Sequence, residues 1–128
     1  MRLLLDTHAF LWSIGAPDRL SDRARRAIED GANDVFLSAA SAWEIAIKAG
    51  LGRVSLPRDL ERFVPDQMAR NSIQPLPVDL GHALRVFALP DVHRDPFDRL
   101  LVAQAIAEEL TLVSRDRRLK GYAAKLLW

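Results

Sequence analysis

Four acidic residues stand at positions from which a parallel sheet could bring them together: Asp6, Glu44, Asp98 and Asp116. The first ends the apolar run 2–6, and the last lies two residues beyond the apolar segment 111–114. The other two fall in the first turns of segments whose composition is typical of buried helices. Ligand sites of such sheets lie beyond the carboxyl ends of the strands, so we expect all four carboxylates at one end of the sheet.

A cluster of carboxylates limits the chemistry that this end of the sheet can perform. Two carboxylates about 4 Å apart repel each other by roughly 4 kcal/mol in a partly screened site, so the cluster requires protons or cations. The chain has no cysteine, which excludes thiolate ligands and thiol nucleophiles. Oxygen ligands alone favour Mg²⁺ or Mn²⁺. The pattern therefore predicts metal-dependent attack of water on a phosphodiester.

Two of these acids also fit a simpler interpretation as ordinary parts of the chain. Asp6 could cap the helix that follows the first strand, although an acid that ends a run of three leucines favours a site. Asp116 taken alone is typical of a turn, and we expect it at the edge of the metal site. Convergence of the four acids, and no single residue, carries the functional interpretation.

The remaining two acids fall in helix-capping patterns. Ser41 and Glu44 have the spacing of a capping box. Asp95, followed by a proline and by Asp98 three residues on, has the pattern of an N-cap. We interpret Asp95 as the cap and Asp98 as the ligand, although residues three apart share a helix face and both could point at a metal. His93, close to Asp95, is a candidate for orienting an acid or contacting substrate.

The elements that must position these residues alternate along the chain. Apolar runs suited to buried strands occur at 2–6, 35–37 and 111–114, with a further candidate at 125–128 and an edge strand or linker at 73–78. Predicted helices occupy 9–12, 21–30, 38–49, 57–71, 79–88 and a segment opening at 95. This alternation predicts an α/β fold with a mostly parallel sheet covered by helices.

Length and composition fit one domain over residues 1–128. Hydrophobic residues make up 49% of the 128 and charged residues 27%, as in ordinary globular proteins. The apolar run 3–5 is too short for a signal peptide, and no segment is long enough to span a membrane, so we expect a cytoplasmic protein without membrane contact. The net charge of +1 decides nothing, but arginines cluster at 23–26 and 115–118, the latter beside Asp116.

Four blocks of the sequence resemble the motifs of PIN-domain toxins of the VapC family. They lie in order at 3–12 (LLLDTHAFLW), 38–48 (SAASAWEIAIK), 93–105 (HRDPFDRLLVAQA) and 112–116 (LVSRD). Together they span nearly the whole chain. The resemblance implies a PIN-like three-layer α/β/α fold and a Mg²⁺-dependent endoribonuclease, with Mn²⁺ able to substitute, in the toxin half of a type II toxin–antitoxin pair.

The resemblance also assigns roles by position. The four acids match the family's catalytic and metal-binding acids, and Ser114 matches a hydroxyl position that supports the site; Asp95 and Thr7 are further supporting candidates. Candidates for contact with RNA are Arg99, Arg115, Arg117 and Lys48. The partners implied are an RNA substrate, a small antitoxin and a second copy of the chain.

Three other interpretations use the same residues. A DNA or flap nuclease shares the carboxylate chemistry, but the chain has little room for the additional helical elements that thread a strand. A phosphorylatable aspartate switch would need an acid pair beside the first strand, which the sequence lacks. A PIN-like module that only binds protein would have no reason to keep a repulsive acid cluster.

Overall fold

The computed structural model describes residues 1–128 and contains one five-stranded sheet. Its strands are β1 (Arg2–Leu5), β2 (Asp34–Ser38), β3 (Ile73–Leu76), β4 (Thr111–Val113) and β5 (Lys125–Leu127). The strands lie in the order β3-β2-β1-β4-β5, and every neighbouring pair is parallel. The predicted parallel sheet is confirmed, and β3, which carries Pro75, lies at an edge where a missing N–H donor is tolerated.

Six α-helices connect and cover the strands. They are α1 (Thr7–Gly15), α2 (Asp22–Glu29), α3 (Ala39–Gly50), α4 (Leu60–Arg70), α5 (Leu80–Arg85) and α6 (Pro96–Ala107). The predicted helix over 79–88 ends early, and 86–88 continues it as a 3₁₀ turn. The helix predicted over 9–12 extends further in both directions, because Asp6 caps it and its apolar face packs on the sheet. No helix is long and apolar enough to cross a membrane.

Strand β1 shows why helices are needed on both faces of the sheet. Leu3, Leu4 and Leu5 are fully buried, and successive side chains of a strand point to opposite faces. Leu3 and Leu5 belong to a cluster with apolar residues of α1, α2, α3 and α4. Leu4 belongs to a second cluster with Leu101 and Val102 of α6. Burial of each leucine stabilises the fold by about 1.5–3 kcal/mol, and the predicted three-layer α/β/α arrangement is confirmed.

The order of the strands leaves a crevice beyond β1 and β4. Strands β2 and β3 follow on one side of β1, after which the chain returns through α5 and α6 to place β4 on the other side. The connections on the two sides cover opposite faces of the sheet, which opens a crevice at the carboxyl ends of the two strands. The Asp6 N–H donates to the Val113 carbonyl at 3.1 Å, and this bond fixes Asp6 beside the end of β4.

Candidate active site

The crevice beyond β1 and β4 is an open cavity of about 540 Å³, which we call the acid cavity, and polar or charged residues make up almost all of its lining. Five acids and four cations line it: Asp6, Glu44, Asp95, Asp98, Asp116, Lys48, Arg115, Arg117 and Arg118. Thr7, His8, Trp12 and His93 complete the lining. All four acids predicted from the sequence therefore lie around one cavity.

Asp6 occupies the floor of the acid cavity. Its side chain is almost fully buried, and its Oδ1 accepts a hydrogen bond of 2.7 Å from the Ala9 N–H, which caps α1. Burial raises the pKa of Asp6, and a hydrogen bond from Ser114 only partly offsets this. Both interpretations made from the sequence thus apply to Asp6, because one carboxylate oxygen caps the helix while the side chain lines the cavity. Ser114 contacts Asp6, as expected of a supporting residue.

Glu44 is held in place by two neighbours rather than by a helix end. The Thr7 hydroxyl donates to its Oε1 at 2.6 Å, and the Lys48 ammonium lies 2.7 Å from its Oε2. The capping-box interpretation of Ser41 and Glu44 is wrong, because Ser38 is the N-cap of α3 and its hydroxyl accepts from the Ala40 N–H. Glu44 therefore lies within the helix and is positioned toward the cavity by side-chain contacts.

The two acids at the start of α6 play different parts. The Asp95 carboxylate accepts from the N–H groups of Phe97 and Asp98, which confirms Asp95 as the N-cap. Asp98 projects into the cavity, where burial and the negative charges of Asp95 and Asp6 raise its pKa to about 7. At this pKa the Asp98 carboxyl is partly protonated at neutral pH when no metal is bound.

His93 joins two of the acids of the cavity. Its Nδ1 accepts from the Asp95 N–H at 3.0 Å, which leaves the ring proton on Nε2. That Nε2 lies 2.8 Å from Asp116 Oδ2 and 3.5 Å from Asp98 Oδ2. In the sequence, His93 stands two residues before the N-cap of α6 and begins the motif block 93–105. The contact supports the expectation that His93 orients an acid.

Asp116 lies at the rim of the cavity, as the sequence analysis expected. The Arg118 guanidinium contacts both of its carboxylate oxygens, at 3.0 and 2.9 Å, and holds the pKa of Asp116 well below its usual range; the hydrogen bond from His93 acts in the same direction. Asp116 is therefore charged throughout the physiological range. Oxygens of Asp98 and Asp116 and a ring nitrogen of His93 lie within 4.8 Å of one another.

The residues around the cavity fit a hard divalent cation. The donor set is rich in carboxylate oxygen, which Mg²⁺ and Mn²⁺ prefer. Five carboxylates against four side-chain cations leave an excess of one negative charge, and two of the cations are already engaged, Lys48 by Glu44 and Arg118 by Asp116. Burial raises the pKa values of Asp6 and Asp98, and the neighbouring hydrogen bonds and cationic groups offset this only in part. An acidic cluster able to hold a divalent cation is therefore present.

Lys48, Arg115 and Arg117 line the acid cavity, as expected of groups that contact a polyanion. Arg99 does not line it, and the structure does not support the prediction that Arg99 contacts RNA. Its guanidinium donates to the Pro90 carbonyl at 2.9 Å, to the Tyr122 hydroxyl at 3.0 Å and to the Val86 carbonyl at 3.3 Å. Arg99 thus ties the loop before α6 to the rest of the protein.

Replacement of Arg99 tests this reassignment. We expect Arg99→Ala to lower the melting temperature by at least roughly 5 °C, because a hydrogen bond from a charged group contributes about 1.5–3 kcal/mol. The matched variant Arg115→Ala should leave the melting temperature unchanged. Binding of single-stranded RNA is titrated at several salt concentrations, and the logarithm of the binding constant is plotted against the logarithm of the salt concentration. The magnitude of the slope should be smaller by about one for Arg115→Ala and unchanged for Arg99→Ala. A reduced salt dependence in Arg99→Ala with an unchanged one in Arg115→Ala would instead identify Arg99 as an RNA contact.

The raised pKa of Asp98 predicts how the metal-free protein responds to pH. Because this pKa rises from 3.8 to about 7 on folding, the folded protein retains a proton that the unfolded chain loses. The associated stability is fully present below about pH 4 and is lost as the pH rises to about 7. We expect the melting temperature measured in EDTA to fall between pH 5 and pH 8, and to fall less in Asp98→Asn. An equal fall in both proteins would contradict this prediction.

The sequence matches the PIN domain family model over residues 3–125. It is 33% identical to Ribonuclease VapC22 of Mycobacterium tuberculosis over 121 residues, which cover 94% of this chain and 91% of that protein. It is also 44% identical to Ribonuclease VapC16 of the same organism over 61 residues, or 48% of this chain, and this match spans only 43% of that relative's length.

Solved structures of low sequence identity share the fold. A Rickettsia felis VapBC2 structure, solved with a DNA fragment from its promoter, has a TM-score of 0.74 at 18% identity and is matched over 99% of this chain and 98% of that one. A toxin–antitoxin complex from Klebsiella pneumoniae has a TM-score of 0.64 at 18% identity, with 98% of this chain and 96% of that chain covered. With the family match and the full-length relative, the chain belongs to the PIN domain family and, within it, to the VapC ribonucleases.

Proposed function

We propose that the protein is a ribonuclease that cleaves RNA phosphodiester bonds in the acid cavity with Mg²⁺ bound, and that Mn²⁺ substitutes for it. The observation that carries the proposal is the convergence of Asp6, Glu44, Asp98 and Asp116 from two strand ends and two helices around one open cavity. Both curated relatives are named ribonucleases, which supports RNA as the polymer that is cleaved.

Each residue of the cavity contributes a defined part of the proposed reaction. Asp6 and Asp98 would hold the cation, whose positive charge would favour their ionised forms over the protonated forms that their raised pKa values favour. Bound Mg²⁺ supplies Lewis acidity, which lowers the pKa of water and stabilises charge on the phosphate. Glu44, fixed by Thr7 and Lys48, and Asp116, fixed by His93 and Arg118, place further oxygens around the same space.

The cations at the rim are suited to the substrate backbone. Arg115 and Arg117 lie at the mouth of the acid cavity, where they can contact phosphates on either side of the scissile bond. These contacts carry no sequence information and leave the identity of the RNA open.

Cleavage of a labelled single-stranded RNA tests the proposal. We expect products with Mg²⁺ or Mn²⁺ and none in EDTA, with single-stranded DNA of the same sequence cleaved far more slowly. Full activity in EDTA would refute the metal mechanism. Preference for DNA would instead support the nuclease alternative, and binding of RNA without any cleavage would support a non-catalytic module.

We further propose that the chain is the toxin of a type II toxin–antitoxin pair, acts in the cytoplasm as a homodimer, and is blocked by a small antitoxin. The R. felis VapBC2 structure and the K. pneumoniae toxin–antitoxin complex share the fold of this chain, which supports an antitoxin as its partner. The chain also exposes apolar side chains that a partner would cover, including Leu80, Leu84 and Phe87, which is 96% exposed. Co-purification with the product of any small gene found beside its own, followed by light scattering, tests both assemblies.

A further inference from the structure

One stacked pair of rings stands among the charged groups of the acid cavity. The His8 and Trp12 rings lie nearly parallel, 15° apart, with their centroids separated by 5.5 Å. Both side chains line the acid cavity, and His8 follows the catalytic candidate Asp6 by two residues. The other two histidines, His82 and His93, are buried and bonded to acids, whereas His8 is exposed. The pair therefore presents an accessible aromatic surface beside the proposed reaction centre.

The surroundings of Trp12 hold this surface in place. The Trp128 ring packs against Trp12 at a 58° tilt and 5.9 Å, and the Arg19 guanidinium lies 5.5 Å from the centre of the Trp12 ring. Trp12 also packs against the apolar cluster that contains Leu3 and Leu5. Since Trp12 is fixed on several sides, a ligand that stacks on His8 would not have to order the tryptophan beneath it.

A second, cationic cavity adjoins the acid cavity on this side. Its volume is about 360 Å³, and it shares Arg115, Asp116 and Arg117 with the acid cavity. Three further residues of its lining extend the positive charge and the aromatic surface: Arg23, Lys120 and Trp128. Four cations face one acid there, which is the charge balance expected where a nucleic acid backbone lies.

The geometry points to a nucleotide subsite beside the acid cavity, in which an unpaired RNA base stacks on the exposed face of His8, backed by Trp12. The phosphate of the same strand lies toward the cationic cavity. Bases of single strands can stack on aromatic side chains irrespective of sequence, whereas bases within a duplex are already stacked on each other. That the polymer is RNA rests on the proposed function. The subsite adds the requirement that a nucleotide next to the scissile bond is unpaired.

Binding measured without cleavage tests this subsite. The protein carries Asp6→Asn, which we expect to be inactive, and the buffer contains EDTA, so that only affinity is measured. Fluorescence anisotropy compares a short single-stranded RNA with copies in which one base at a time is replaced by an abasic position. We expect removal of one particular base to weaken binding roughly tenfold, because the abasic position loses the stacking contact with the aromatic ring.

Substitutions at His8 separate stacking from charge. In the same background, His8→Ala should remove the penalty for the abasic position, whereas His8→Phe should retain it because the ring is kept and the imidazole is lost. Trp43→Ala is the matched control, because Trp43 is an exposed tryptophan paired with Phe97 at 5.3 Å but lines neither cavity. This control should keep the full penalty.

Two results would overturn the inference. A penalty that persists in His8→Ala would show that no base stacks there, and loss of the penalty in both His8→Ala and His8→Phe would show that the imidazole acts without stacking. Wild-type protein that cleaves RNA while showing no abasic penalty would leave the proposed function in place and refute the subsite alone. Protein that neither binds nor cleaves RNA would refute the proposed function itself.

Discussion

Asp6→Asn is expected to reduce metal-dependent RNA cleavage by at least about 100-fold while the protein remains folded. The substitution removes the charge at the floor of the acid cavity, where the side chain is almost fully buried. It keeps an oxygen at the position that accepts from the Ala9 N–H, and asparagine is as good an N-cap as aspartate. Cleavage rates with Mn²⁺ and the melting temperature, measured side by side, test both parts.

A second aspartate that caps a helix provides the matched control for this experiment. Asp79 caps α5 and accepts from the His82 N–H at 2.9 Å, but it lies outside the acid cavity. We expect Asp79→Asn to retain full cleavage. Equal loss of cleavage in both variants would mean that helix capping, and not a catalytic carboxylate, explains the effect at Asp6.

Mn²⁺ is expected to raise the melting temperature by an amount on the order of 10 °C at saturating concentration, because the ion binds the folded carboxylate cluster and not the unfolded chain. Asp98→Asn should reduce this rise more than Asp95→Asn does. The reason is that the Asp95 carboxylate accepts hydrogen bonds from two backbone N–H groups of its own helix, whereas the Asp98 carboxyl projects into the cavity and has a pKa of about 7. Thermal unfolding with and without Mn²⁺ at pH 8 measures the difference.

The same measurement contains its own control. In EDTA at pH 8, Asp98→Asn should melt at a higher temperature than the wild-type protein, because it lacks the carboxylate that burial and its neighbours destabilise. Asp95→Asn should melt close to the wild-type temperature, since asparagine also caps helices well. If Asp95→Asn reduced the Mn²⁺-induced rise in melting temperature more than Asp98→Asn did, Asp95 would be the metal ligand in place of Asp98.

Much of the fold follows from local patterns. The run of leucines before Asp6 predicts a strand buried on both faces, and the structure buries Leu3, Leu4 and Leu5 completely between two layers of helices. The Asp95-Pro96 pair predicts the start of α6 because its capping oxygen and fixed φ both act within one helical turn. Such signals depend on residues close in sequence, which is why they can be read without the tertiary structure.

Local patterns were least informative where distant contacts decided the outcome. Ser41 and Glu44 match a capping box by spacing, but the helix begins at Ala39 because Ser38 at the end of β2 supplies the cap. Arg99 stands in a motif of charged residues, yet its guanidinium is taken up by carbonyls of residues 86 and 90 and by the Tyr122 hydroxyl. Neither outcome is visible in the spacing of residues along the chain.

For the acid cluster as well, the sequence and the tertiary structure determined different features. The sequence determined that acids follow two buried strands and lie near the starts of two helices, Asp98 in the first turn of α6 and Glu44 one turn further into α3 than the sequence predicted. The rules of parallel sheets then placed them at one end. Only the tertiary structure decided how each is held: Asp6 with Ser114, Glu44 between Thr7 and Lys48, Asp98 near His93, and Asp116 between His93 and Arg118. The physical reason is that charge, burial and hydrogen bonding act through space over a few ångströms, between residues up to 108 positions apart in the chain.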